Sequence, residues 1–237
     1  MRGWTGLSTM KEDDKVESLK KVELFSSLSD DELREISRRV VIRAFRKNET
    51  ILFERDTNEF MYIILDGEVR AVQSTEDGKE IILAMHHSGE FFGEISLIDG
   101  KTIPARVVAV KDSRTVIISK REFFALLDKR KVVDRFLQIL CSRLRQSWEV
   151  IQMLNFNNAS QRVRMLFLIL SNKYGMKADG GMILPMKLTH QNIAEMAGLT
   201  RETVTRVIDK WQREGEVMIL KDKRIYLKPD FYTELTI

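Results

Sequence analysis

The stretch LTHQNIAEMAGLTRETVTRVIDKWQREG, from Leu188 to Gly215, admits few folds. It reads as two short helices joined by a tight turn. Thr189 is placed to cap the first helix, with Ile193, Ala194 and Ala197 on its inner face. Gly198 supplies the left-handed conformation that a sharp turn needs. Thr200 caps the second helix, and Val204, Ile208 and Trp211 recur on one face at helical spacing. That leaves Arg201, Glu202, Thr205 and Arg206 on the outer face within two turns of the N-terminus. In a helix pair of this kind the start of the second helix meets base edges in the DNA major groove. An arginine can bond a guanine bidentately, and a glutamate can accept from the cytosine amino group. The competing reading is a solvated helical hairpin with ordinary surface charges. Turn, caps, apolar face and outward charges all agree on the first reading.

Upstream, from Arg43 to Ser119, strand signals dominate. The runs ILFE, FMYIIL, EVRAVQ, EIILAMH, ARVVAV and RTVIIS are rich in β-branched and aromatic residues. Turn punctuation separates them at Arg46–Asn48, Asp56–Asn58, Asp66-Gly67, Glu76–Lys79, Ser88-Gly89, Asp99–Thr102 and Lys111–Ser113. Short, evenly spaced strands predict a barrel or jelly roll. Before them, Ser29 with Glu32 forms a capping-box pattern ahead of Leu33 and Ile36.

These residues carry a resemblance. RETVTR (Arg201 to Arg206) resembles the RETVGR-type recognition helix of the catabolite activator branch of the Crp/Fnr superfamily of transcription regulators. YIILDGEVRAV resembles the core of cyclic-nucleotide-binding domains, and SGEFFGEISLIDG resembles the superfamily's phosphate-binding cassette. The LF-x-x-L-x-x-x-E-L pattern around Leu24 also resembles the superfamily's lead-in to the barrel. The resemblance implies an α+β chain in four parts. These are an arm over 1–15, a β-jelly-roll, cyclic-nucleotide-binding-like sensor domain over 16–127, a long dimerisation helix over 128–155, and a winged helix-turn-helix domain over 156–237. The wing is expected in VMILKDKRIYLK, turning near Lys221–Lys223. Lys221, Lys223 and Arg224 either meet DNA phosphates or keep an edge hairpin soluble.

Between the two domains, Val133, Leu137, Leu140, Leu144, Ser147, Ile151 and Leu154 are spaced 4, 3, 4, 3, 4, 3. That heptad seam of about three repeats predicts a parallel homodimer, against the alternative of a helix packed on its own barrel. Two-fold symmetry would set two recognition helices one DNA turn, ~34 Å, apart. The polar stretch NFNNAS (Asn155 to Ser160) is the expected hinge. Ala159 to Tyr174 is expected as an amphipathic helix, Lys173 to Gly181 as a loop and Met182 to Pro185 as a short strand.

Composition narrows the class of function. A net charge of +4 and a sequence pI near 9.1 are compatible with a nucleic-acid partner. One cysteine, Cys141, excludes an intrachain disulfide and an all-cysteine iron–sulfur cluster. No apolar run approaches the ~20 residues of a membrane span, and the N-terminus has no apolar core of a signal peptide. The expectation is a cytoplasmic protein with no membrane partner. There is no P-loop, no paired metal-ligand spacing and no Ser/His/Asp grouping, so no enzyme is expected.

The sensor departs from the resemblance. Cyclic-AMP binders of the superfamily continue the cassette into an Arg-Ser pair that holds the cyclic phosphate, while the cassette glutamate meets the ribose. Here Gly93, Glu94 and Ile95 keep the cassette, but Ile103-Pro104 stand where Arg-Ser is expected. An isoleucine removes the bidentate partner of a phosphate. Arg106, three residues on, would face the other way on a strand. On the long helix, Ser147-Trp148 stand where cAMP-responsive members place a Thr-Ser pair against adenine. These residues, Gly93, Glu94, Ile95, Arg106, Ser147 and Trp148, form the candidate effector pocket. Its expected ligand is an unknown small molecule other than cAMP, or none at all, and Glu94 is then structural. Haem is a further alternative through His86 or His87, which on a strand face opposite ways; their bland reading is surface histidines at a strand end. Cys141 reads as a small buried hydrophobe.

The sequence therefore predicts a homodimeric, bacterial-type transcription regulator. Arg201 and Arg206 would read guanines and Glu202 a cytosine of a TGTGA-like inverted repeat in double-stranded DNA. Thr189, Thr200, Thr205, Lys223 and Arg224 would complete the contact, and RNA polymerase would be the partner in action. The alternative is a cyclic-nucleotide-binding module acting on a protein partner, with the helical domain as its docking surface.

Overall fold

In the computed structural model, residues 11–75 and 80–232 are described. Helix α1 (Glu12–Lys20) opens them, with Glu12, Asp13 and Asp14 in its first turn and Val16 and Leu19 buried. It begins inside the segment expected as an arm, so residues 12–15 are helical. Residues 1–10 of that arm, the turn at 76–79 and residues 233–237 lie outside the described residues. A 3-10 turn (Glu23–Phe25) leads to α2 (Asp30–Arg39). Ser29 caps α2 in a complete capping box: the Glu32 N–H donates to Ser29 Oγ, and the Ser29 N–H donates to the Glu32 carboxylate.

Eight strands follow: β1 (Val41–Phe45), β2 (Thr50–Leu52), β3 (Phe60–Asp66), β4 (Glu68–Ser74), β5 (Glu80–His87), β6 (Phe91–Phe92), β7 (Arg106–Ala109) and β8 (Ser113–Ser119). They pair antiparallel into two four-stranded sheets, ordered β1-β8-β3-β6 and β2-β7-β4-β5. Alternation sorts the side chains. Tyr62, Ile64, Phe92 and Ile117 of the first sheet meet Val69, Val107 and Ala109 of the second in one inner cluster. Met61, Ile63, Phe91, Val116 and Ile118 point the other way. They pack on α1, α2, α4 (Lys120–Leu127) and the first turns of α5 (Arg130–Leu154). Between β6 and β7 lies a short helix, α3 (Glu94–Asp99), bracketed by Gly93 at φ +87° and Gly100 at φ +69°. The sequence offers no helical period there, because six residues are too few to show one.

The chain forms two compact units that divide within α5, between Cys141 and Ser142. The second unit contains α6 (Ala159–Tyr174), β9 (Met176–Ala178), β10 (Gly181–Leu184), α7 (His190–Ala197), α8 (Arg201–Glu214), β11 (Val217–Ile219) and β12 (Ile225–Leu227). Its sheet has the order β11-β12-β10-β9. The segment expected as a loop over Lys173 to Gly181 supplies β9, which forms by pairing with β10. Val163, Phe167, Ile193, Ala197, Val204, Ile208 and Trp211 make its core. Arg164 is buried there at 3% exposure. It lies between the Trp211 and Phe231 rings, donates to the Phe231 carbonyl and pairs with Glu216 at 2.6 Å. A buried cation is tolerable only with such complete pairing.

Candidate nucleic-acid interface and sensor cradle

The interface is built from α7, a three-residue bend and α8. Thr189 caps α7: its Oγ1 accepts from the Asn192 N–H at 3.1 Å, while its own N–H donates to Asn192 Oδ1 at 3.2 Å. α7 ends at Gly198, whose φ of +63° is the left-handed turn that the sequence requires. Thr200 then caps α8 by accepting from the Thr203 N–H at 3.2 Å. Val204, Ile208 and Trp211 are each at most 1% exposed, so one face of α8 is fixed against the core. The opposite face carries Arg201, Glu202 and Arg206, all exposed, with Thr205 half-buried among them. The backbone N–H of Glu202 itself, then the Thr200 side chain, then Arg201 and Arg206 hold the Glu202 carboxyl below its ordinary range. The outer face therefore presents two cations and one firmly ionised acceptor, a set suited to base edges.

In the wing, β11 and β12 are joined across Leu220 to Arg224, with Lys223 in a left-handed conformation at φ +69°. Arg224 Nε donates to Asp222 at 2.7 Å, so its charge is largely met within the turn. Lys221 and Lys223 are exposed.

On α5, Leu137, Leu144, Ile151 and Leu154 are exposed at 52%, 52%, 58% and 43%. Val133 is half-buried. Leu140 departs from the seam and packs on the first unit's own core. Cys141, expected as buried, is exposed. Periodicity alone does not say on which side a helix meets its neighbour.

The sensor cradle keeps its backbone. Asn58 Nδ2 donates to the Phe60 and Gly93 carbonyls at 2.6 and 2.8 Å. A Cβ on Gly93 would stand 2.9 Å from the Phe60 oxygen, so that position admits only glycine. Glu94 is buried at 2% exposure and engaged within the fold. Ile95 is turned to solvent, 53% exposed.

Ile103 is 5% exposed and joins the inner cluster with Tyr62 and Phe92, its backbone held to Arg55 and Asp56. Burial pushes the Tyr62 hydroxyl pKa up. Arg106 lies outside that cluster and pairs with Glu80, which Arg70 also holds at 3.0 Å. On α5, Ser147 Oγ donates back to the Arg143 carbonyl, and Trp148 is 58% exposed.

His86 is not the surface residue that its strand-end position suggests. Its side chain is 12% exposed, its ring lies 6.0 Å from Phe92, and Nδ1 is 3.5 Å from Glu90. His86 is thus packed against Phe92 and beside Glu90, and a haem on it would have to displace that contact. Among the described residues no group of three or more His, Cys, Asp or Glu could hold a metal ion, and no helix is long and apolar enough to cross a membrane.

Comparison with known proteins bears on both units. Residues 42–130 match the family described as cyclic nucleotide-binding domain, and residues 161–228 the Crp-like helix-turn-helix domain. The global nitrogen regulator of Synechococcus elongatus is 32% identical over 78% of this chain and 84% of its own. The cyclic AMP receptor protein of Thermus thermophilus is 30% identical over 75% of this chain and 79% of its own. Among solved structures, a CooA mutant from Carboxydothermus hydrogenoformans superposes with a TM-score of 0.74. It covers 96% of this chain and 95% of its own at 19% identity, which shows a shared fold.

Proposed function

The chain belongs to the Crp/Fnr family of transcription regulators, and from that premise we propose a specific reading of its two ends. The protein acts as a homodimer on an inverted repeat with TGTGA-like half-sites. Arg201 and Arg206 contact guanines and Glu202 a cytosine, while Thr189, Thr200 and the wing residues Lys223 and Arg224 position the backbone. The observation that carries this reading is the two-faced α8: its inner face is sealed by Val204, Ile208 and Trp211, and Arg201, Glu202 and Arg206 stand in solvent. The partly exposed seam Val133, Leu137, Leu144, Ile151 and Leu154 supports pairing of two α5 helices. A cytoplasmic protein that recruits or blocks RNA polymerase is the reading that follows.

For the effector, the reading is a small molecule other than cAMP, or none. Ile103 within the inner cluster supports it, since a cyclic phosphate there would meet a side chain without a hydrogen-bond donor. A second reading keeps cAMP, because a relative bears the name cyclic AMP receptor protein. The test is fluorescence anisotropy of a TGTGA inverted-repeat duplex against the purified protein, without ligand and with cAMP, beside a scrambled duplex. Selective binding without ligand supports the first reading. Selectivity that appears only with cAMP establishes the second. Absence of selectivity in both arms rejects the half-site.

A further inference from the structure

His190 opens α7, Thr205 lies on α8, and their side chains meet: His190 Nδ1 is 2.8 Å from Thr205 Oγ1. The same hydroxyl donates to the Arg201 carbonyl one turn back, at 2.9 Å. A hydroxyl has one proton. With that proton on the Arg201 carbonyl, the bond across the two helices has the imidazole N–H as donor and Thr205 Oγ1 as acceptor. The polar end of Thr205 is then committed twice within the protein. The part of the half-buried Thr205 side chain left without a partner of its own is the γ-methyl.

A threonine inside a helix ordinarily divides between two rotamers, because its hydroxyl either bonds back to the preceding turn or turns away. The bond from His190 selects one of them. We propose that His190 is a positioning residue for DNA readout: by holding the Thr205 hydroxyl, it makes position 205 an apolar reader of a thymine C5-methyl group. The major groove displays that methyl beside the edges open to the two arginines, and apolar contact is how a side chain reads it. A glycine at 205 would have no such group, so the base preference belongs to this chain's departure from the RETVGR-type pattern. The inference rests on the proposed DNA-binding function.

The test begins with a duplex selected by the full-length protein from a randomised pool. Each thymine is then replaced singly by deoxyuridine, which removes only the methyl. The wild-type protein is expected to lose about fourfold in affinity at one thymine per half-site, the worth of one buried methyl group. Thr205→Ser keeps the hydroxyl, lacks the methyl and abolishes that discrimination. Thr205→Val keeps an apolar surface and retains it. His190→Ala lowers it below about twofold while leaving the deoxyuridine-substituted duplex bound as before, and His190→Gln, whose amide can donate to the hydroxyl, restores it. A purely structural role for His190 would instead weaken every duplex together, and that result overturns the proposal. So does a wild-type protein indifferent to deoxyuridine at every thymine. Enrichment of no duplex overturns the DNA-binding reading itself, and this inference with it.

Discussion

The helix-turn-helix and the sensor barrel keep their family patterns to different depths. In the helix-turn-helix both the scaffold and the outward side chains are kept: Gly198 turns the chain, and Arg201, Glu202 and Arg206 stand exposed on α8. In the barrel only the scaffold is kept. Gly93, Glu94 and Gly100 still shape α3, but Ile103 has become part of the inner cluster and Arg106 is spent on Glu80. A scaffold glycine is fixed by backbone geometry whatever the ligand, whereas a ligand-facing side chain is fixed only by the ligand. On the function proposed above, the contrast means that output and input of one molecule can be retained separately.

The largest expected effect breaks the comparison on the barrel side. Ile103→Arg places a guanidinium where an isoleucine is 5% exposed among Tyr62, Phe92 and Val107. An uncompensated charge in such a place costs about 3–5 kcal/mol, which thermal or urea unfolding would register as loss of the first unit's stability. Combined with Pro104→Ser, the same change is expected to make stability respond to cAMP, since a ligand that binds only the folded state stabilises it. The unmodified chain is expected to show no cAMP-dependent shift. A shift in the unmodified chain would mean the barrel keeps its input after all.

On the other side, Arg206→Ala is expected to cost about 1–3 kcal/mol of binding on the selected duplex and to relax preference at one base position. Arg206 is exposed, and its Nη2 donates to Thr203 Oγ1 at 3.3 Å on its own helix, so its removal should leave the unfolding midpoint of the second unit nearly unchanged. Equal weakening on all sequences would reassign Arg206 to a phosphate.

Legibility in the sequence divides along similar lines. Caps, turn and buried face of α7 and α8 are local signals, set by residues within four positions of one another, and they read directly. The strand runs are also local: six of the eight barrel strands stand as apolar runs in the sequence, and β1 and the two-residue β6 do not. What escaped depends on distant residues. β9 forms only because β10 offers it a partner. Arg70 and Arg106 converge on Glu80 across three strands. Arg164 lies on the helix expected as amphipathic, and Glu216 and the Phe231 carbonyl, each more than fifty positions on, make its burial possible. Leu140 fits the heptad count but faces its own barrel, because a period gives spacing and no direction. His86 sits at the inward register of β5, and only the pairing of β5 with β4 through a bulge decides which of the two histidines that is.

The smallest expected effect sharpens the comparison by asking whether the retained output is chemically poised without help. Glu202 is fully exposed, so its carboxyl is tuned by neighbours rather than by burial. Its own backbone N–H, Thr200 and the two arginines hold it below the ordinary value of 4.5. A lowered carboxyl keeps its negative charge above that value and loses it only as pH falls through the lower folded one. On the proposed reading, the acceptor for a cytosine amino group is therefore complete across the neutral range. Discrimination between the selected duplex and one altered at that cytosine is expected to stay constant from about pH 8 to about pH 5.5, measured as a ratio of affinities at fixed ionic strength. Taking the ratio removes the sequence-independent phosphate contribution, which shifts with total charge. A ratio that falls within this window would assign the base to a group titrating near neutrality, a histidine rather than a carboxylate. Position 202 would then have kept its residue type while losing its role, and the contrast between a preserved output and an altered input would no longer hold.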